Sequence, residues 1–130
     1  MIPKYRAWDS AKKEMFKDTF AITESGQVVV VEQESVASSP DYVFVEHLVI
    51  MQSTGLVDKN GKEIFDGDIL DYKGRKALVR WHGSYASFIY RFVDEPHKRN
   101  AEWKPLYLAY MKCEIIGNIY DNPELLEDKE

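Results

Sequence analysis

The sequence predicts a mostly β domain, all-β or α+β. The expected form is a small SH3-like barrel or a strongly curved antiparallel sheet, with extra N-terminal strands and a short C-terminal helix. Three observations carry this. Runs of β-branched and aromatic residues recur with turn signals roughly every eight to twelve residues. Asn60-Gly61 and Lys73-Gly74 stand between alternating segments, as hairpin turns do. No helical stretch suited to a βαβ crossover separates these segments, so a parallel sheet is not expected.

The elements follow in chain order. Lys4 to Trp8 alternates and stops at Asp9-Ser10, a turn signal. Lys12 to Ala21, with Met15, Phe16 and Phe20 apolar, reads as a returning strand or a short helix. Gln27 to Val31 is β-branched and follows Ser25-Gly26, so it reads as a strand. Ser35 to Pro40 reads as a loop. Tyr42 to Gln52 stays open between strand and short helix followed by strand. Its β-branched content favours the first, while Phe44, His47, Leu48 and Met51 also fit a helical period.

From Thr54 onward the signals sharpen. Asn60-Gly61, flanked by Leu56 and Ile64, predicts a type I′ turn. Asp68 to Tyr72 and Arg75 to Trp81 are strands around Lys73-Gly74. On the second, Ala77, Val79 and Trp81 share one face, which predicts a buried Trp81, and Lys76 and Arg80 share the other with Leu78. His82-Gly83-Ser84 turns the chain into Ser87 to Val93, where Phe88, Tyr90 and Phe92 share a face. Asp94 to Lys104 is charged, contains Pro96 and has weak periodicity, so it reads as a long loop. Tyr107 to Tyr110 and Cys113 to Tyr120 read as closing strands, with Gly117 marking a bulge. Asn122-Pro123 is an N-cap followed by proline, where a short helix starts. The whole reads as one domain over 1–130, within which 1–50 can stand as an N-terminal subdomain beside a compact β unit over 51–126.

Composition narrows the class. At 130 residues, 45% apolar and 30% charged, the chain needs no disulfide or metal to fold. The single cysteine, Cys113, forms no internal disulfide, and the N-terminus has no signal-peptide character, so a cytoplasmic protein is expected. The longest apolar runs fall far short of the roughly 20 residues of a membrane helix.

The net charge of -5 is unevenly spread. Residues 1–72 carry a net of -6, residues 73–112 a net of +6, and residues 113–130 a net of -5. The basic segment also holds eight of the 17 aromatic residues, with Tyr72 just before it. Cations interleaved with rings can hold phosphates and stack bases. The same pattern arises when aromatics form a β core and cations sit on its wet face, and this plainer reading is preferred.

Motifs for chemistry fail on inspection. Gly55 and Gly61-Lys62 imitate a phosphate loop, but five residues separate the glycines, and Glu63 replaces the magnesium-binding Ser/Thr. Asp58, Asn60 and Lys62 begin like a calcium loop and fail at the third ligand. Asp66, Asp68 and Asp71 read as a solvated strand entry. His47, His82 and His97 show no zinc spacing, and Cys113 reads as a buried packing residue.

The segment Met51 to Leu70, Met-Gln-Ser-Thr-Gly-Leu-Val-Asp-Lys-Asn-Gly-Lys-Glu-Ile-Phe-Asp-Gly-Asp-Ile-Leu, resembles the signature of the YopX family. These are small proteins of bacteriophages and prophages of Gram-positive bacteria. Lys4-Tyr5-Arg6-Ala7-Trp8-Asp9 and Ile116-Gly117-Asn118-Ile119-Tyr120-Asp121-Asn122-Pro123-Glu124-Leu125-Leu126 are similar to two further family blocks, in family order. The resemblance implies a phage-type protein with a mostly β fold. It implies no reaction.

The expectation is therefore a non-enzymatic interaction protein, self-associating as a homo-oligomer or binding a phage or host protein, with no cofactor, metal or membrane. The weaker alternative is a nucleic-acid-associated module using residues 73–112. Arg80, His82, Tyr85, Arg91, Lys98 and Arg99 are the candidate contacts for a partner or for nucleic acid.

Overall fold

The structure, a computed structural model, describes residues 4–16, 20–25, 27–32, 41–45, 48–94 and 103–127. The chain is mostly β, with a strongly curled, half-barrel antiparallel sheet. It divides into two compact units, Tyr5–Met51 and Gln52–Glu130, the second also taking in Met1–Lys4.

In the first unit, β1 (Tyr5–Asp9) and β2 (Glu14–Phe16) form a hairpin with Ala7 opposite Phe16. The Asp9 carboxylate ends β1 by accepting the N–H groups of Ala11 (2.9 Å) and Lys12 (3.1 Å). On its other side β1 neighbours β6 (Leu48–Val57), which begins in this unit and ends in the second. The strands β3 (Phe20–Ile22), β4 (Val28–Glu32) and β5 (Asp41–Val45) make a separate antiparallel sheet. Both ambiguous stretches are therefore strands among the described residues. Ala7, Val28 and Leu48 are buried together, with Phe16, Phe20 and Ile50 packed around them. The expected loop at Ser35 to Pro40 lies outside the described residues.

In the second unit, β7 (Glu63–Phe65) pairs with the end of β6. A five-stranded antiparallel sheet follows, in the order β11 (Lys104–Pro105), β10 (Ser87–Phe92), β9 (Arg75–His82), β8 (Asp68–Tyr72), β12 (Cys113–Asn118). Its register places Leu70, Ala77, Val79, Tyr90, Phe92 and Cys113 in one core with Ile64, Leu106 and Ala109. Ile69, Leu78 and Ile89, on the opposite face, are buried as well. The register shifts between Ile115 and Gly117, the expected bulge. A Cβ on Gly117 would lie 2.5 Å from Asn122 Oδ1, so a side chain there would push Asn122 out of its hydrogen bond with the Asn118 N–H.

Several local expectations are corrected. Lys73 and Gly74 both have positive φ, 52° and 87°, so the type I′ turn is theirs. In the loop Lys59-Asn60-Gly61 only Gly61 is left-handed, φ 81°, and Gly61 N–H donates to Asp58 O at 3.0 Å: a type I turn closed by a glycine bulge. Asp68 is no solvated strand entry; at 1% exposure it accepts the Phe65 N–H at 2.8 Å. Tyr107 to Tyr110 is not a strand. Leu106–Leu108 and Tyr110–Lys112 are 3-10 turns, because Leu106 and Ala109 reach the core at a three-residue spacing. The C-terminal helix is one 3-10 turn, Pro123–Leu126. Asn122 does not cap it; its Oδ1 accepts the Asn118 N–H at 3.3 Å instead.

Trp81 is 48% exposed, against the expectation of burial. It does share a face with Ala77 and Val79, but that face runs beyond the core at Trp81, which meets Phe88 edge to face at 5.1 Å. Alternation assigns a face; it says nothing of where along the strand the core stops.

Candidate interaction surface

The acids and amides of the quoted blocks bind their own backbone. Asp58 Oδ1 accepts the N–H groups of Asn60 and Lys62, both at 2.9 Å, and Oδ2 accepts that of Ile115 at 3.0 Å. Burial on its own would raise this carboxyl, but the three amides and the Lys62 charge hold it below the ordinary carboxylate range. Lys59 N–H donates to Cys113 O at 2.9 Å, so this loop covers the edge of β12 that β8 leaves open. Asp71 accepts the Gly74 N–H at 2.9 Å, and Asn118 Oδ1 accepts those of Tyr120 and Asp121 at 3.0 and 2.9 Å. Cys113 is buried, donates its S–H to Ala109 O at 3.3 Å, and is pushed up to about 11, first by burial and then by Asp71 and Asp58. A thiol so protonated is a packing group, not a nucleophile.

The described candidates on the strands, Arg80, His82 and Arg91, share one face, but the basic residues of segment 73–112 are divided between two. Arg80 and Arg91 lie on one face of the sheet with Lys76, whereas Arg75 and Lys104 register with Tyr72 and Tyr90 on the other. Arg80 Nε lies 3.5 Å from Asp66 Oδ1, and Arg91 stands 5.3 Å from the Trp103 ring centroid. His82 stacks on Tyr85 at 4.4 Å, and Tyr85 is 68% exposed at the tip of the β9–β10 hairpin. Lys98 and Arg99 lie outside the described residues, as do His47 and His97.

Arg75 lies 3.6 Å and Lys104 4.7 Å from the centroid of Phe92, which meets Tyr72 and Tyr90 edge to face. Arg75 is also paired with Asp94 at 2.9 Å, and this hydrogen bond holds the exposed Asp94 carboxyl below its ordinary value. These cations are thus engaged by rings and carboxylates at the rim of the core.

The sequence reading missed a third feature. Tyr107, Leu108 and Met111 are 59%, 65% and 56% exposed, and they stand on the 3-10 turns whose buried side is Leu106 and Ala109. Three large apolar side chains within five residues form a shelf above the sheet edge. The signal was present. Leu106-Tyr107-Leu108-Ala109-Tyr110-Met111 is apolar without alternation, which a half-buried strand does not need.

In the first unit, a hollow is lined by Tyr5, Phe20, Ala21 and Ile22, without an acid, base or thiol. Among the described residues no three His, Cys, Asp or Glu side chains are grouped to hold a metal ion. Nor is any helix among them long and apolar enough to cross a membrane.

A curled antiparallel sheet whose acids brace its own turns, with exposed apolar side chains on its 3-10 turns, defines a small β-rich chain with Asp58, Asp68 and Asn118 turned inward. The chain belongs to the YopX family: the model described as YopX protein matches residues 4–127. A solved structure, protein EF1440 from Enterococcus faecalis, is similar to it at 31% identity and a TM-score of 0.60, covering 98% of this chain and 99% of that one. Among curated protein sequences none matches.

Proposed function

We propose that this chain is a non-enzymatic interaction protein of phage or prophage origin, acting in the bacterial cytoplasm and associating with copies of itself. The observation that carries the reading is the shelf of Tyr107, Leu108 and Met111, three large exposed apolar side chains within five residues on turns anchored by the buried Leu106 and Ala109. Exposed patches of this kind mark contacts with other proteins. The non-enzymatic part rests on how reactive side chains are used. The Cys113 thiol is buried and protonated, and Asp58 and Asp68 are taken up by backbone amides. Light scattering after size exclusion tests the reading: an oligomer is expected, and a single 15.1 kDa species at high micromolar concentration would overturn it.

The hairpin tip favours a second reading, a nucleic-acid-associated module, because Trp81 and Tyr85 present exposed rings on which bases stack. The split of the basic residues over both sheet faces weighs against it. A mobility-shift assay at low salt is expected to show no retention of duplex or single-stranded DNA. Tight, salt-sensitive retention would move the site to Arg80, His82, Tyr85 and Arg91.

A further inference from the structure

Resting on the self-association reading, we propose that the shelf is the receptor for the turn Glu124-Leu125-Leu126-Glu127 of a second copy of this chain. The receptor side has an unresolved electrostatic feature. Tyr72 and Cys113 are the last register pair of β8 and β12; Lys73 follows the first in its turn, with Nζ 5.8 Å from the Tyr72 ring centroid, and Lys112 precedes the second in its 3-10 turn. Both are exposed, and among the described residues no carboxylate pairs with either. Two ammonium groups without a carboxylate at the same end of this strand pair form a cationic site that an incoming carboxylate complements. Lys112 directly follows Met111, so this cationic pair adjoins the apolar side chains of the shelf.

The complement is in the same chain. Glu124 and Glu127 are exposed and joined by the i→i+3 bond from Glu127 N–H to Glu124 O, 3.2 Å. Residues three apart in a 3-10 turn lie on one side, so two carboxylates flank two part-exposed leucines. Among the described residues no cation pairs with either glutamate, which excludes their own copy's Lys73 and Lys112 as partners. The charge blocks agree: +6 over residues 73–112 and -5 over 113–130. Such a contact is heterologous. Each copy offers one shelf and one turn, so copies join head to tail and close into a ring or extend.

The test is charge-swap complementation, read by light scattering after size exclusion at low salt. The receptor variant Lys73→Glu/Lys112→Glu and the turn variant Glu124→Lys/Glu127→Lys are each expected to run as 15.1 kDa monomers with the parent's circular dichroism. Mixed at equal ratio, they are expected to reassociate, since each supplies the half the other retains, and high salt is expected to weaken the parent's assembly. A parent oligomer that both variants leave intact, or a mixture that stays monomeric, overturns this docking mode while the self-association reading stands. A monomeric parent overturns that reading and this inference with it. Leu108→Ser, which changes no charge, serves if a charge-swap variant fails to fold: a parent-like oligomer in that variant also overturns the docking mode.

Discussion

The Asp58 loop and the Tyr107–Met111 shelf belong to the same unit and flank Cys113 at the start of β12, yet they use their side chains in opposite ways. The loop turns a charged group inward. Asp58 is 4% exposed, and each of its oxygens is taken by backbone N–H groups. The shelf turns apolar groups outward, with Leu106 and Ala109 holding three large side chains in solvent. The polar residue is therefore architectural and the apolar ones are available for contact. Polarity is a poor guide to function in this chain; what decides is whether a group's interactions are completed within the fold.

The largest effect expected from breaking the comparison is at the loop. Asp58→Ala removes the acceptor of three amides, one of them in β12. Hydrogen bonds to charged groups contribute roughly 1.5–3 kcal/mol each, and water can reach part of this loop, so a loss of about 3 kcal/mol is expected in urea unfolding. A loss under about 1 kcal/mol would show that the loop holds without its carboxylate. The same group gives a pH dependence. Its folded pKa lies below the unfolded value, roughly 3.9, so its stabilisation is complete above that value and is lost as pH falls through the folded one. Acid unfolding curves should show stability declining below about pH 4, with a shallower decline for Asp58→Asn. Parallel curves would contradict the assignment.

Gly61→Val comes next. A Cβ at Gly61 meets nothing within 4 Å, so the cost comes from forcing a β-branched residue to φ 81° and not from a clash. About 2 kcal/mol is expected, measured by thermal or urea unfolding. Parent-like stability would mean the bulge relaxes freely, and that Asp58 tolerates more than one loop geometry.

What could be read from residues follows the same division. The strands of β8, β9 and β10 were legible because alternation reports the face a side chain takes, and the register confirms Ala77 and Val79 against Leu78. Lys73-Gly74 and the Gly117 bulge were legible because glycine marks unusual backbone. Asp68 was misread because a carboxylate beside a turn looks solvated until its backbone donor is known. The shelf was misread because β-propensity and apolar content do not separate a strand from a 3-10 pair anchored at Leu106 and Ala109. Of the candidate contacts, the charges were visible in sequence. That Arg80 and Arg91 share one face while Arg75 and Lys104 take the other needed the register.

Trp81→Ala sharpens the boundary between core and surface. A fully buried tryptophan would cost roughly 3–5 kcal/mol on truncation. With half its surface in water and one edge-to-face contact with Phe88, about 1–2 kcal/mol is expected in urea unfolding. A value in the buried range would place Trp81 in the core and remove the hairpin tip from the contact surface.

The smallest stability effect is expected at the shelf, and it separates the two regions most cleanly. Leu108 is the most exposed of the three apolar side chains, and its neighbours Leu106 and Ala109 carry the packing. Leu108→Ser should leave unfolding within about 0.5 kcal/mol of the parent, as surface substitutions usually do. The same change removes apolar area from the centre of the proposed contact, so light scattering should show the oligomer shifted towards monomer. Asp58→Ala should do the reverse below its unfolding transition, losing stability while its folded fraction still associates. A Leu108→Ser variant that is strongly destabilised would show that the side chain packs within its own fold, and the contrast between a completed loop and an uncompleted shelf would fail at the residue on which it most depends.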